Sequence, residues 1–355
     1  MMKPLRKRSW DYQWKRQQSK GEEIKMKQKK SIIQTITASR EASLLIVLVL
    51  LCVVITIKSP SFMTYKSITD MLKNNTATMI MAVGMLGVLL VGGIDISVAS
   101  TLALAGMSVG MLMKYGVVTN TLALFLIAIA IGGVCGLING LIVSKGKVLP
   151  IIATMGAMYI YRGLAYLVAN EQWASAENLG SFKEFALQKF LGLNKVIWVL
   201  IIVYVIFFVV MKWTTLGRKV YAVGSNKEAA QISGINASNI ELYVFVVMGL
   251  LAGLCGALAV SVYSSAQPNM LFGKEMDVIA ACVIGGVSMQ GGRGSVVGAL
   301  LGGLVLAIIA KALPLVGIES IAQNTVKGVI ILAVIILNVL TQRSLDKNNL
   351  KAREM

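Results

Sequence analysis

The stretch VIWVLIIVYVIFFVVM, residues 196–211, runs sixteen positions without a charge, a glycine or a proline, and Lys195, Lys212 and Trp213 flank it. A strand of a membrane barrel would alternate apolar and polar residues, whereas this run is apolar on every face, so it reads as a membrane-spanning helix. Leu44 to Ile57 has the same character. Working outward, 56% of the 355 residues are hydrophobic and only 14% are charged, with a mean hydropathy of +0.76. Those values lie far from an ordinary soluble domain. The chain is therefore expected to be an all-α, polytopic membrane helix bundle with room for about ten spans of ~20 residues.

The expected spans are 42–57, 76–92, 96–113, 120–144, 149–168, 198–213, 242–263, 277–289, 295–312 and 323–340. The polar stretch from Lys58 to Asn75 reads as an outer segment, and the longest outer loop runs from about Ala169 to Lys195. Three domains follow. Residues 1–41 form a basic N-terminal tail, residues 42–340 the transmembrane domain with a cytoplasmic loop at 214–239, and residues 341–355 a C-terminal tail. Twelve Lys or Arg in residues 1–41 put the N-terminus inside, and the parity of ten spans returns the C-terminus to the same side. The run Met26-Lys-Gln-Lys-Lys30 before an apolar span also has the form of a membrane-protein start, so a second reading begins translation at Met26 and leaves residues 1–25 untranslated.

The absences exclude whole classes of function. With no histidine there is no Ser-His-Asp triad and no His-ligated metal site, and neither a catalytic residue nor a metal ligand is assigned. Cys52, Cys135, Cys255 and Cys282 stand singly within apolar runs and read as small buried hydrophobes. No G-x-x-x-x-G-K-[ST] loop is present to cradle a nucleotide. The net charge of +18 sits mainly in tails and loops and reports orientation toward a membrane rather than nucleic-acid binding.

Gly132-x3-Gly136-x3-Gly140, Gly249-x3-Gly253 and Gly298-x3-Gly302 provide faces where helix backbones approach closely. Two Gly-Gly turns, at Gly92-Gly-Ile-Asp95 and Gly291-Gly-Arg-Gly294, each precede a span on the inner side and echo one another. The inner loop 214–239 is long enough to hold its own helix. Within it, Gly224, Ser225, Asn226, Glu228, Ala229, Ala230 and Gly234 read as a short helix capped at Ser225 or Asn226, with Glu228 near its positive end and Gly234 at its stop.

On these residues the chain resembles the membrane permease subunits of bacterial ABC importers for monosaccharides, of the ribose, xylose, rhamnose and autoinducer-2 type. Glu228, Ala229, Ala230 and Gly234 match that family's E-A-A-x3-G element. Gly93-Ile-Asp-Ile-Ser-Val-Ala-Ser100 is similar to its G-I-D-L-S-V-G-S, and Ser264-Ser-Ala-Gln-Pro268 and Gly291-Gly-Arg-Gly294 follow in the family's order. The resemblance covers about residues 38–342. It implies the ABC importer permease fold in a bacterial cytoplasmic membrane, surrounded by lipid. It also implies a second permease chain, identical or related, cytoplasmic ATPase subunits that bind ATP and magnesium and are driven through the Glu228 helix, and an extracytoplasmic sugar-binding protein. No cofactor is expected in this chain, and it is not expected to be an enzyme.

Polar residues within or beside the spans are the candidates for a sugar pathway: Asp95, Ser97, Ser100, Asn139, Thr154, Arg162, Ser261 and Gln267. Each also has a structural reading. Asp95 and Ser97 suit the cap of a helix, Arg162 is close enough to the outer surface to snorkel, and Ser or Asn in a span pairs with neighbouring helices. Glu275 and Asp277 would complement the dipole of the helix they precede. An ion-coupled secondary transporter is the alternative class, and it calls for carboxylates in mid-span, whereas Asp95 lies toward the inner edge. A permease for branched-chain amino acids or nucleosides is the alternative within the leading class.

Overall fold

The computed structural model describes residues 40–319, 322–329, 331–333 and 336. Most of the N-terminal tail, the C-terminal tail and part of the expected span at 323–340 lie outside the described residues. Helix α1 (Arg40–Lys58) leads through a 3-10 turn at Pro60–Met63 into α2 (Tyr65–Leu90). Helices α3 (Val98–Lys114), α4 (Thr121–Ser144) and α5 (Pro150–Ala169) follow. The outer connection carries α6 (Gly180–Leu187) and a two-residue antiparallel pair, β1 (Lys189–Phe190) and β2 (Leu193–Asn194), before α7 (Lys195–Trp213). Helices α8 (Thr215–Ser225) and α9 (Lys227–Ile232) form the inner loop, and α10 (Ala237–Tyr263), α11 (Lys274–Ile284) and α12 (Val296–Leu315) follow, with further helical residues at 322–329 and 331–333.

Among the described residues six helices, α1, α4, α5, α7, α10 and α12, are long and apolar enough to cross a membrane, and α3 is a shorter apolar helix. Side-chain caps set many of the starts, because the first turn of a helix leaves N–H groups without partners. Thr64, Asn120, Thr214, Asn236 and Ser295 each accept from a backbone N–H three residues on. Of the stretch read as an outer segment, Tyr65 to Asn75 form the first part of α2, which runs unbroken for 26 residues.

Helix α10 is the axis of the bundle, packed on α4, α3 and α2. Apolar burial adds little between helices already in lipid, so close backbone packing has to hold them. The glycine faces supply it within the one chain: a Cβ on Gly132 would stand 2.2 Å from the Gly249 carbonyl oxygen, and one on Gly249 2.3 Å from that of Gly132. In contrast, α1 and α7 present exposed residues such as Leu50, Ile57, Ile202 and Ile206 to the surroundings.

The connection between α11 and α12 is not helical. The span expected at 277–289 is helical only as α11, whose 11 residues reach about 16 Å, half of a ~30 Å hydrocarbon core. The segment 285–295 continues it, and turns such as Gly286 N to Val283 O and Val287 N to Cys282 O satisfy the backbone internally. Irregular backbone at such depth persists only where protein surrounds it. On the outer side the loop 169–195 is folded: Ala174 pairs with Ala266 in a β-bridge, and Phe182 is buried edge-on against Phe125 at 5.4 Å.

Candidate coupling site

The inner loop folds as two helices that break at Asn226. Asn226, not Ser225, caps the second helix, its Oδ1 accepting from Ala229 N at 2.9 Å. Ser225 closes the first helix. Glu228 lies in the first turn of α9, and Gly234 ends the segment at φ +80°, where a side chain would be strained. Ala230 is the buried contact of α9 with the body of the protein, while Glu228, Ala229 and Ile232 are exposed. Ile232 is 89% exposed, an isoleucine with almost no neighbours. Lys227 pairs with Glu241 at 2.6 Å and fastens α9 to α10.

Gly224 joins this helical hairpin to the rest of the chain. A Cβ there would fall 1.7 Å from Leu90 O and 2.7 Å from Gly292 N, so only glycine fits. Leu90 O in turn accepts from Gly292 N at 2.9 Å. The two Gly-Gly turns read from the sequence thus meet at one junction, with the end of α8 wedged between them. Tyr221 adds a bond from the same helix, its hydroxyl donating to Gly294 O at 2.8 Å. Burial raises that hydroxyl above the ordinary tyrosine range, with the Glu41 carboxylate adding to the effect, so it stays a donor.

Five residues beyond Leu90, the break between α2 and α3 holds a buried polar network. Asp95 Oδ1 accepts from Ser97 N at 2.9 Å and from Ser97 Oγ at 2.6 Å. Asn139 Nδ2 donates to Ser97 Oγ at 2.8 Å, and Tyr161 OH donates within reach of both Asn139 Oδ1 and Cys135 O, each at 3.0 Å. Thr154 Oγ1 lies between Ile94 O and Ile96 N. Asp95 is 2% exposed, and among the described residues no ion pair reaches it.

The candidate pathway residues therefore separate into groups. Asp95, Ser97, Asn139 and Thr154 come together, and Ser100 is buried one turn along α3. Ser261 is elsewhere, donating to Phe182 O at 2.8 Å and accepting from Ala186 N at 3.0 Å, which ties α10 to the outer loop. Arg162 Nη1 donates to Pro268 O at 2.8 Å and Met270 O at 3.1 Å, and its guanidinium lies 5.6 Å from the Phe272 ring. Gln267 lines an outer cavity of about 350 Å³ with Tyr263, Ser265 and Asn269. Sequence reasoning did not find Tyr161, Tyr221 or Leu90, since a tyrosine in an apolar run and a backbone carbonyl carry no local signal. Glu275 and Asp277 do lie in the first turn of α11, and Asp277 also pairs with Lys274 and Lys327.

Residues 67–339 match the family described as branched-chain amino acid transport system / permease component. The ribose import permease protein RbsC of Escherichia coli (strain K12) is 38% identical over 301 residues, which cover 84% of this chain and 93% of that protein. RbsC of Bacillus subtilis (strain 168) is 36% identical over 293 residues, covering 82% and 90%. The L-arabinose transport system permease protein AraH of Escherichia coli (strain K12) is 33% identical over 305 residues, covering 85% and 91%. No solved structure matches the chain.

Proposed function

The chain belongs to the branched-chain amino acid transport system / permease component family, and on that premise we propose that it is the multi-pass membrane subunit of an ATP-driven importer for a monosaccharide. The observation that carries this reading is the similarity to ribose and arabinose permeases along nearly their whole length. The lining of the outer cavity agrees with a neutral polyol: amides and hydroxyls from Ser265, Gln267, Asn269 and Tyr263 offer paired donors and acceptors without net charge. A branched-chain amino acid would call for groups to meet its ammonium and carboxylate.

In this proposal no bond is made or broken by the chain itself, and ATP with its magnesium is held by a separate cytoplasmic subunit. That ATPase takes α9 in a groove, and Ile232, Glu228 and Ala229 are the residues left free to enter it. An apolar side chain held in water gains about 1.5–3 kcal/mol on full burial, so Ile232 suits an anchor. A push on α9 passes along α8 to Gly224 and reaches the end of α2 and the 285–295 segment before α12 together, because the Leu90 carbonyl and the Gly292 amide meet there. The α2–α3 break with its Asp95 network is the next element in line. A second permease chain completes the path, and an extracytoplasmic binding protein delivers the sugar.

Uptake of radiolabelled D-ribose and L-arabinose by cells lacking this chain, and by the same cells with it restored, tests the substrate class. Restored uptake of either sugar is expected. Restored uptake of leucine in place of both sugars would contradict the reading.

A further inference from the structure

We propose that the apolar cleft between α2, α7, α8 and α10 is a binding site for an acyl chain of an anionic phospholipid of the inner leaflet, whose head lies on Lys219. The cleft has a volume of about 250 Å³. On its floor α2 contributes Gly84 and Gly87 and hence no side chain, opposite Val244 of α10, whose Cγ1 lies 3.3 Å from where a Cβ on Gly87 would stand. Val210 of α7 and Val247 of α10 form the walls, and Leu216 and Val220 of α8 bound the end nearest the cytoplasm.

Apart from the Tyr243 hydroxyl, every side chain on this lining is hydrocarbon or thioether, so a sugar hydroxyl or a water inside would find no side-chain partner. An apolar cavity of about 150 Å³ already takes a benzene ring, so this one has room for a length of hydrocarbon chain. Its depth identifies the source of that chain. Gly84 and Val210 lie within about two turns of the inner ends of α2 and α7, and Val247 within about three turns of the inner start of α10. The cleft is therefore level with the inner leaflet, and Ile206, Leu216 and Tyr243 at its edge are exposed to the surroundings.

The rim selects the head group. Gly217 lets α8 turn tightly beneath α7, since a Cβ there would stand 2.4 Å from Met211 O. Lys219 follows Leu216 by three residues and precedes Val220, so it flanks the face of α8 that lines the cleft. It is exposed, and among the described residues no ion pair holds its ammonium. A cation and a phenol at interfacial depth attract an anionic head, and the lining below them accepts only a chain. One amphipathic ligand meets both demands. A chain seated against Leu216 and Val220 also braces α8, the helix that ends at the Gly224 junction, between the membrane and the bundle. That consequence rests on the coupling role proposed above, whereas occupancy of the cleft does not.

The test uses the purified full-length chain in nanodiscs with photoreactive lipids that carry a diazirine in one acyl chain, either phosphatidylglycerol or phosphatidylcholine, and mass spectrometry locates the labelled residues. In the wild type, Leu216 and Val220 are expected to be labelled roughly fivefold more by the phosphatidylglycerol probe, the preference that one interfacial lysine supplies. Val210→Trp fills the cleft from α7 and Val247→Phe from α10, both at half-buried positions. Each is expected to cut that labelling about tenfold and to leave labelling of the exposed Leu50 and Ile57 on α1 unchanged. Lys219→Gln is expected to bring the phosphatidylglycerol probe down to the phosphatidylcholine level. Lys212→Gln, which alters an ammonium lying over the Phe208 and Trp213 rings, is expected to change nothing. Labelling of Leu216 and Val220 that is absent from the wild type, equal for the two lipids, or undiminished in both filled variants would overturn the site. The readout needs neither sugar nor ATPase, so it stands or falls separately from the transport reading.

Discussion

Gly224 lies so close to the carbonyl of Leu90 that a Cβ on Gly224 would stand 1.7 Å from that oxygen. The contact links α8, which leads to the exposed α9, with the inner end of α2, which leads to the buried Asp95. Gly224→Ala therefore forces backbone apart on two sides. Overpacking of this kind costs about 1–3 kcal/mol, more than the 0.5–1 kcal/mol that alanine gains over glycine within a helix. A lower melting temperature in detergent and a severe loss of uptake are expected. Gly156→Ala, with nothing within 4 Å of its Cβ, provides the contrast and leaves the melting temperature unchanged or higher.

Tyr221→Phe removes the hydroxyl that donates to Gly294 O and costs about 0.5–1.5 kcal/mol. The raised pKa of Tyr221 fixes the pH dependence. A hydroxyl titrating higher in the folded state contributes its full stability below the unfolded value near pH 10, and that contribution falls as pH rises through the folded value. The stability gap between wild type and Tyr221→Phe is expected to be constant from pH 6 to 9 and to narrow above pH 10, as read by thermal melts at each pH.

Glu228→Lys and Ile232→Ser alter exposed positions of α9 and leave the bundle intact. Both are expected at wild-type levels in the membrane, with uptake abolished by Glu228→Lys and reduced at least tenfold by Ile232→Ser. Immunoblots of membranes beside uptake assays check this, and normal uptake by both variants would remove α9 from the coupling role.

Asn139→Leu strands two partners at once, since Asn139 donates to Ser97 Oγ and accepts from Tyr161 OH. Buried polar groups left without partners cost about 1–3 kcal/mol each. A loss of that order in unfolding free energy is expected, and Tyr161→Phe, which deletes only the donor, is expected to lose less. A double-mutant cycle between the two positions measures their coupling.

Much of this architecture was legible from local pattern. Unbroken apolar runs gave α1, α4, α7, α10 and α12 to within a few residues, since a lipid-embedded helix must be apolar over its length. Asn226 and Gly234 bounded α9 because caps and left-handed stops have residue preferences of their own. The shortness of α11 also had a local signal that the apolar run masked: Gly286 stands at φ +81° just past its end, and the bonds from Gly286 N to Val283 O and from Val287 N to Cys282 O close the helix in a left-handed glycine stop. The meeting of Gly92, Gly224 and Gly291 depended on the register of three distant segments. Arg162 showed its chemistry in the sequence but not its partners, two backbone carbonyls more than a hundred residues away.

The central claim is that this chain works through a separate ATPase seated on α9. The most direct measurement is affinity purification of the tagged protein from native membranes in mild detergent, beside its Glu228→Lys variant, with mass spectrometry of the associated proteins. The account predicts that the wild type brings down a Walker-A ATPase and a sugar-binding protein, and that the variant loses the ATPase. A wild-type chain that purifies alone and transports sugar in vesicles without ATP would contradict it.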